Sequence, residues 1–89
     1  MIARRVRVTG RVQGVFFRAW TRDEARSLGV KGWVRNCADG AVEAHLEGDD
    51  EAVSELVRRM RHGPAHAKVT DLEMSDAATE NLERFEVRH

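Results

Sequence analysis

Cysteine, proline and long apolar runs are scarce in this sequence, and each scarcity excludes a class of protein. The 89 residues include one cysteine, Cys37, and one proline, Pro64. A single cysteine permits neither an intrachain disulfide nor a thiolate metal cluster within one protomer. No segment approaches the roughly 20 apolar residues of a membrane span, and the N-terminus, MIARRVRVTG, has no apolar run of signal-peptide length. We therefore expect a cytoplasmic protein with no contact to a membrane.

An excess of charge of one sign is also missing, because 15 Lys and Arg balance 15 Asp and Glu. This balance removes the broad positive field on which most nucleic-acid binders rely, so we expect no nucleic-acid partner. Any anion site must be local. The four histidines show no metal-ligand spacing, so we expect the protein to have no metal site and no cofactor. These histidines are His45, His62, His66 and His89.

Apolar residues are nevertheless frequent and spread along the chain, at 42% of the sequence, which is typical of a globular protein. The length leaves room for one domain with one hydrophobic core, so we expect residues 1–89 to form a single domain. Small size and neutral charge favour a monomer.

Hydrophobic periodicity predicts five strands and two helices. The strands are expected at 2–9, 30–37, 42–46, 67–75 and 84–88, and the helices at 17–28 and 50–62. In the first helix the apolar stripe is Phe17, Thr21, Ala25 and Leu28, and in the second it is Val53, Leu56, Val57 and Met60. Gly29 suits a left-handed helix cap, and Asp49 is placed as an N-cap.

This order, β-α-β-β-α-β with an additional short C-terminal strand, predicts a ferredoxin-like α+β sandwich. The sheet is expected to be antiparallel, with two helices on one face and the other face open to solvent. Asp39-Gly40 predicts a hairpin turn. Because Val69 and Leu72 have opposite parity, we expect a bulge near Thr70 and Asp71. The fold alone says nothing about chemistry, since it hosts many functions.

The segment from Gly10 to Arg18, GRVQGVFFR, connects the first strand to a helix N-terminus, where unpaired backbone N–H groups favour an anion. Its glycines allow the backbone to curl into a nest of amides, and Arg18 lies one turn into the helix, where its guanidinium can hold phosphate oxygens. Taken alone, the glycines can equally serve only the turn, and Arg18 can be a solvated surface residue. Asn36, at the end of GWVRN, is most simply a turn-capping amide.

Both segments resemble the active-site pattern of the acylphosphatase family. The family signature Gly-x-Val-Gln-Gly-Val-x-Phe-Arg is complete in GRVQGVFFR, and GWVRN matches the second motif. The resemblance implies metal-independent hydrolysis of acyl phosphates to a carboxylate and inorganic phosphate. It implies that Arg18 and loop amides bind the phosphate and that Asn36 orients the attacking water. The amides concerned are those of Gln13, Gly14, Val15, Phe16 and Phe17, with Gln13 acting through its backbone and both phenylalanines packing.

Two other functions remain open. One is a phosphate-binding module of the kind found inside larger carbamoyl-transfer proteins; no zinc-finger or transferase segment occurs in these 89 residues, which favours the free-standing enzyme. The other is a ferredoxin-like regulatory domain that binds small ligands between two subunits, for which GRVQGVFFR has no purpose. Cys37 has no base beside it and is not expected to be a nucleophile. Ala65 stands where the family commonly has a second proline, which concerns loop stiffness rather than activity.

Overall fold

The computed structural model describes residues 1–89, and its elements follow the predicted order. The strands are β1 (Ile2–Arg11), β2 (Lys31–Asn36), β3 (Val42–Gly48), β4 (Lys68–Asp76) and β5 (Phe85–Arg88). The helices are α1 (Phe17–Leu28) and α2 (Asp50–His62). All five strands form one sheet in the order β4-β1-β3-β2-β5. The ferredoxin-like α+β arrangement is confirmed.

One strand pair differs from the expected antiparallel pattern. β5 runs parallel to β2, with Gly32 opposite Phe85 and Val34 opposite Val87, whereas the other three pairs are antiparallel. β4 ends at the same end of the sheet at which β2 begins, and the chain then crosses to the opposite edge without leaving that end. β5 therefore starts beside the first residues of β2 and has the same direction. Alternation of apolar residues in a four-residue strand carries no information on the direction of pairing. The sheet is therefore mixed.

The apolar stripes of both helices pack on one face of the sheet, as predicted. Phe17 and Ala25 of α1 and Leu56 and Met60 of α2 are buried there. They meet buried strand residues, namely Val6, Val8, Val34, Ala44 and Leu46. Neither helix combines the length and apolarity needed to cross a membrane. This packing places α1 over β2 and β5 and α2 over β1.

Two predicted backbone irregularities are present. Thr9 pairs with Asp71 while Gly10 pairs with Val69, so Thr70 is the extra residue of a bulge in β4. Gly29 ends α1 with a φ of 73°, and the N–H of Val30 then donates to the carbonyl of Ala25 at 2.9 Å. The bulge lies opposite the end of β1, where the functional loop starts.

The second face of the sheet is covered in part, which corrects the expectation that it is open to solvent. The segment 77–84 crosses this face, and its backbone N–H groups at Glu80 and Leu82 donate to the carboxylate of Glu47. Glu47 also accepts a hydrogen bond from Nε2 of His45 at 2.8 Å. Both side chains are buried, at 1% and 0% exposure. A buried carboxylate therefore fastens an irregular segment across the sheet.

Trp33 extends this buried polar cluster toward β5. Its ring stacks on His45 with centroids 6.0 Å apart, and its Nε1 donates to Glu80 at 3.1 Å. The guanidinium groups of Arg5 and Arg88 lie 4.9 and 4.8 Å from the ring centroid, within cation–π range. Trp33 is 5% exposed, so this aromatic ring is not available to stack on a nucleic-acid base.

Replacement of Glu47 tests whether its carboxylate holds the 77–84 segment on the sheet through hydrogen bonds. Burial raises the pKa of the Glu47 carboxyl, but hydrogen bonds from His45 and from the backbone of Glu80 and Leu82 outweigh burial and hold it below its ordinary value. This stabilisation is complete above the pKa of the unfolded chain and is lost as the pH falls through the lower folded pKa. We expect Glu47→Gln to lower the free energy of unfolding at neutral pH by about 2–3 kcal/mol and to flatten its acid dependence.

Urea unfolding at several pH values between neutrality and about pH 3 measures both effects. Glu83→Gln is the matched control, because Glu83 is exposed and makes no hydrogen bond or ion pair. Equal acid dependence in all three proteins would contradict the assignment.

Candidate active site

The loop of residues 12–16 curls between β1 and α1. Gly14 and Phe16 both adopt left-handed backbone conformations, with φ of 75° and 63°. A Cβ at Gly14 would meet no atom within 4 Å, so the space beside this residue is open. Left-handed residues that alternate with ordinary ones turn successive N–H groups toward a common centre, which is the geometry of an anion-binding nest.

The amides of this loop and of the first helical turn have no partner in the protein. None of the backbone N–H groups from Gln13 to Ala19 donates a hydrogen bond, and the first helical donor is Trp20, to the carbonyl of Phe16 at 3.0 Å. Phe16 occupies the N-cap position of α1, and no side-chain hydrogen bond caps the helix. A Ser, Thr, Asp or Asn at this position would accept a hydrogen bond from one of the free N–H groups of the first helical turn. Phenylalanine leaves them free for a ligand.

The charge at the start of α1 is the reverse of what a helix normally carries. α2 begins with Asp50 and Glu51, which complement the positive end of its dipole. α1 has no acidic residue in its first turn and carries Arg18 there instead. A cation beside a positive helix end is unfavourable unless an anion lies between them. The pattern favours a site that is completed by a bound anion.

Arg18 makes no ion pair with any carboxylate side chain of the protein. Its Nη1 lies 3.3 Å from the carbonyl oxygen of Arg88 and 3.2 Å from Nδ1 of His89. By contrast, the nearby Arg22 contacts Asp23 at 3.1 Å. The positive charge of Arg18 is therefore not compensated inside the cleft that it lines.

The second motif places Asn36 beside the loop. Val34 and Asn36 share the helix-facing side of β2, whereas Arg35 points to the other side and pairs with Glu43 at 2.6 Å. Gly32 allows close strand packing, since a Cβ there would lie 1.8 Å from the carbonyl oxygen of His45. Oδ1 of Asn36 is buried and has no hydrogen-bond partner. An unpaired buried acceptor costs about 1–3 kcal/mol, so the side chain favours a partner such as water.

These groups share one cleft of about 410 Å³. Its lining includes Gly14, Phe16 and Arg18 from the loop and α1, and Asn36 from β2. The structure thus brings together the two side chains that the sequence nominated. The amide nest, the guanidinium and the carboxamide surround a space that can accept a small anion.

Gln13 adds a contact that its sequence position did not reveal. Its Nε2 donates to the carbonyl oxygens of Cys37 at 2.8 Å and Ala41 at 2.9 Å. Both acceptors belong to the turn that follows Asn36. The side chain therefore ties the amide nest to the turn that carries Asn36, while its backbone amide remains free as expected.

The two phenylalanines of the loop have different environments. Phe17 is 1% exposed and packs edge-on against Trp20, as expected of a packing residue. Phe16 is 82% exposed, so its assignment as a packing residue was wrong. The left-handed backbone at Phe16 reverses the chain between the loop and α1 and leaves the ring outside the core. Such a conformation costs a non-glycine residue about 1–2 kcal/mol.

Other candidate groups lie apart from this cleft or lack partners. Cys37 is free and partly exposed, and no side chain that could act as a base contacts it. His45 is buried on the opposite face of the sheet, His62 is exposed at the last position of α2, and His66 is exposed in the loop that follows. No group of three or more His, Cys, Asp or Glu side chains is arranged to hold a metal ion.

Five lining residues were not predicted as site residues, namely Val12, Ala19, Arg22, Val87 and His89. Arg22 lies one helical turn beyond Arg18, and this spacing of four was a usable signal. Val87 and His89 enter the lining because β5 pairs in parallel beside β2. No signal in the sequence indicates that pairing.

Known proteins are similar to this chain over a range that includes both motifs. The family model described as acylphosphatase matches residues 4–87. The chain is 58% identical to an acylphosphatase of Rhizobium etli over 80 residues, which cover 90% of this chain and 85% of that protein. It is 55% identical to one of Rubrobacter xylanophilus over 85 residues, covering 94% and 77%. The crystal structure of the acylphosphatase from Bacillus subtilis superposes with a TM-score of 0.97 at 37% identity, covering all of both chains.

The matched range contains the amide loop, Arg18 and Asn36, and the structural match extends over every strand and helix. The two relatives and the solved structure are all described as acylphosphatases. This chain belongs to the acylphosphatase family, whose activity is the hydrolysis of acyl phosphates.

Proposed function

We propose that this protein hydrolyses the carboxyl–phosphate bond of acyl phosphates without a metal ion, with the phosphate held by the Gln13–Arg18 loop and water positioned by Asn36. One observation carries the proposal: the cleft is lined by loop residues with free amides, by an Arg18 guanidinium that has no carboxylate partner, and by Asn36, whose buried Oδ1 has no hydrogen-bond partner. We further propose that residues 1–89 act as one domain and as a monomer in the cytoplasm, which the single cysteine and the balanced charge support.

Phosphate binding is assigned to the start of α1. The amides of Gln13 to Phe17 donate to phosphate oxygens, and the helix dipole adds favourable charge. Arg18 supplies a fork of charged donors, each such hydrogen bond being worth about 1.5–3 kcal/mol. The same groups stabilise the charge on the equatorial oxygens in the transition state of phosphoryl transfer.

Asn36 is assigned to the nucleophile. Its carboxamide hydrogen-bonds a water molecule and holds it in line with the bond to be broken. The water oxygen attacks phosphorus while the bond between phosphorus and the carboxyl oxygen breaks. The leaving carboxylate is a weak base and needs no general acid. The attacking water loses a proton to an oxygen of the substrate's own phosphate, and the products are a carboxylate and inorganic phosphate.

Kinetics of two variants separate binding from chemistry. We expect Arg18→Ala to weaken inhibition by inorganic phosphate about 10- to 100-fold and to lower kcat/KM for benzoyl phosphate still further, because charge is lost from both ground and transition states. We expect Asn36→Ala to lower kcat about 100- to 1000-fold with little change in phosphate inhibition, because water rather than phosphate loses its partner. Initial rates with EDTA present, and circular dichroism of each variant, provide the measurements.

Arg61→Ala is the matched control for removal of an arginine, since Arg61 is exposed in the last turn of α2 and lies outside the cleft. Full turnover by a folded Arg18→Ala protein would refute its role. An inert wild type that still binds inorganic phosphate would leave a phosphate-binding module in place of the enzyme. Activity that EDTA abolishes would exclude the metal-independent mechanism.

Variants of Gln13 test whether its side-chain hydrogen bonds hold the turn after Asn36 against the amide nest. We expect Gln13→Ala to lower the free energy of unfolding by about 1–2 kcal/mol through loss of two hydrogen bonds. Gln13→Glu keeps the shape but points a carboxylate at two carbonyl oxygens, so its loss is expected to be larger. Both variants are expected to lower kcat more than phosphate affinity, because the turn that carries Asn36 is released from the nest. Wild-type stability and kcat in Gln13→Glu would disprove the tie.

A further inference from the structure

Phe16 breaks three local rules at once. The side chain is 82% exposed, although burial of an aromatic ring is among the largest stabilising contributions that a residue can make. The backbone is left-handed at a residue that is not glycine. The residue also stands at a helix N-cap without capping the helix. Strain of this kind persists at functional sites, where the surrounding structure enforces it.

The packing of the protein does not explain this ring. Phe16 is outside the hydrophobic core and forms no aromatic pair. Phe17, by contrast, belongs to the core and packs against the ring of Trp20. The other large apolar side chains that are exposed, Met1 and Met74, lie outside the cleft. Phe16 alone among them shares a cleft with Arg18 and Asn36. Its position therefore points to a ligand rather than to folding.

The direction of the reaction assigns the part of the ligand that reaches Phe16. The attacking water and the leaving group lie on opposite sides of phosphorus in an in-line displacement. In the proposed mechanism the water is held by the carboxamide of Asn36, and because Oδ1 of that group is buried, the mechanism puts the water on the inner side of the cleft. The leaving acyl group then extends outward, toward the rim where Phe16 is exposed.

The cleft is also larger than a phosphate group requires. Its volume of about 410 Å³ equals that of on the order of a dozen water molecules at ~30 Å³ each. Half of its lining residues are apolar, and they include Phe16, Ala19 and Val87. This part of the lining offers no ion pair or hydrogen bond to an acyl chain, but it offers a flat ring and two small aliphatic groups.

From this placement we infer that Phe16 is a specificity-determining residue that binds the acyl group and favours acyl phosphates with a flat, apolar acyl group over acetyl phosphate. The inference rests on the proposed function. The ring of Phe16 stacks on the acyl group and covers one side of it, while the phosphate remains fixed by the amides and Arg18. Offset stacking is the arrangement that two aromatic rings prefer.

The ratio of kcat/KM for benzoyl phosphate to that for acetyl phosphate tests the inference. Phe16→Gly removes the ring and suits a φ of 63°, so the loop keeps its path. We expect a ratio well above one in the wild type, a ratio about 3- to 10-fold lower in Phe16→Gly, and a ratio restored to at least half of the wild-type value in Phe16→Trp. Met74→Ala, which removes an exposed apolar side chain from β4, is expected to keep the wild-type ratio.

The ratio of kcat/KM values distinguishes failure of the role assigned to Phe16 from failure of the proposed hydrolase function. A general disturbance of the amide nest lowers both rates together and leaves the ratio unchanged, and that result would overturn the role of Phe16 while the hydrolase function stands. A wild type without preference would overturn it as well. A wild type that hydrolyses neither substrate would overturn the proposed function and this inference with it.

Discussion

One row of paired backbone residues determines where the functional groups meet. Val42, at the start of β3, pairs with Val8 of β1 on one side and with Asn36 of β2 on the other. Because β1 and β2 are both antiparallel to β3, they run in the same direction, and their C-terminal ends lie at the same end of the sheet. The amide loop follows β1 and the Asn36 turn follows β2. The two motifs are brought together by backbone hydrogen bonds, although 18 positions separate Arg18 from Asn36 in the sequence.

The two helix N-termini of the protein show how stability and binding make opposite demands. α2 has Asp49 at its N-cap position, although no side-chain hydrogen bond caps this helix either, and it carries two acidic residues in its first turn. α1 differs in having a left-handed Phe16 at its N-cap position and Arg18 near the positive end of the dipole. The free amides and Arg18 become favourable once an anion occupies the loop, whereas the backbone cost at Phe16 remains. The fold tolerates this local cost because Phe17, Thr21 and Ala25 of the α1 stripe remain buried.

The sequence predicted those features that arise from local chemistry and from patterns of burial. Alternation of Val6 and Val8 with arginines, the helical stripes, the cap at Gly29 and the bulge at Thr70 were all confirmed. Arg18 and Asn36 could be nominated because both lie in compact motifs, while their roles remain proposals. Features that depend on long-range pairing were missed. The parallel alignment of β5, the cover of residues 77–84 and the entry of His89 into the cleft depend on contacts between distant segments.

The parallel alignment of β5 has a consequence for the order in which the molecule assembles. β2 and β5 pair across more than half of the chain, as in the contact of Gly32 with Phe85, and such distant contacts form late because a large loop must close first. The nest and Asn36 require only the strands up to β3 for their mutual position, whereas the guanidinium of Arg18 also contacts Arg88 and His89 at the end of β5. One wall of the cleft, with Val87 and His89, arrives with β5. During synthesis, the pocket therefore stays open on that side until the last strand has docked, and completion of the cleft coincides with completion of the fold.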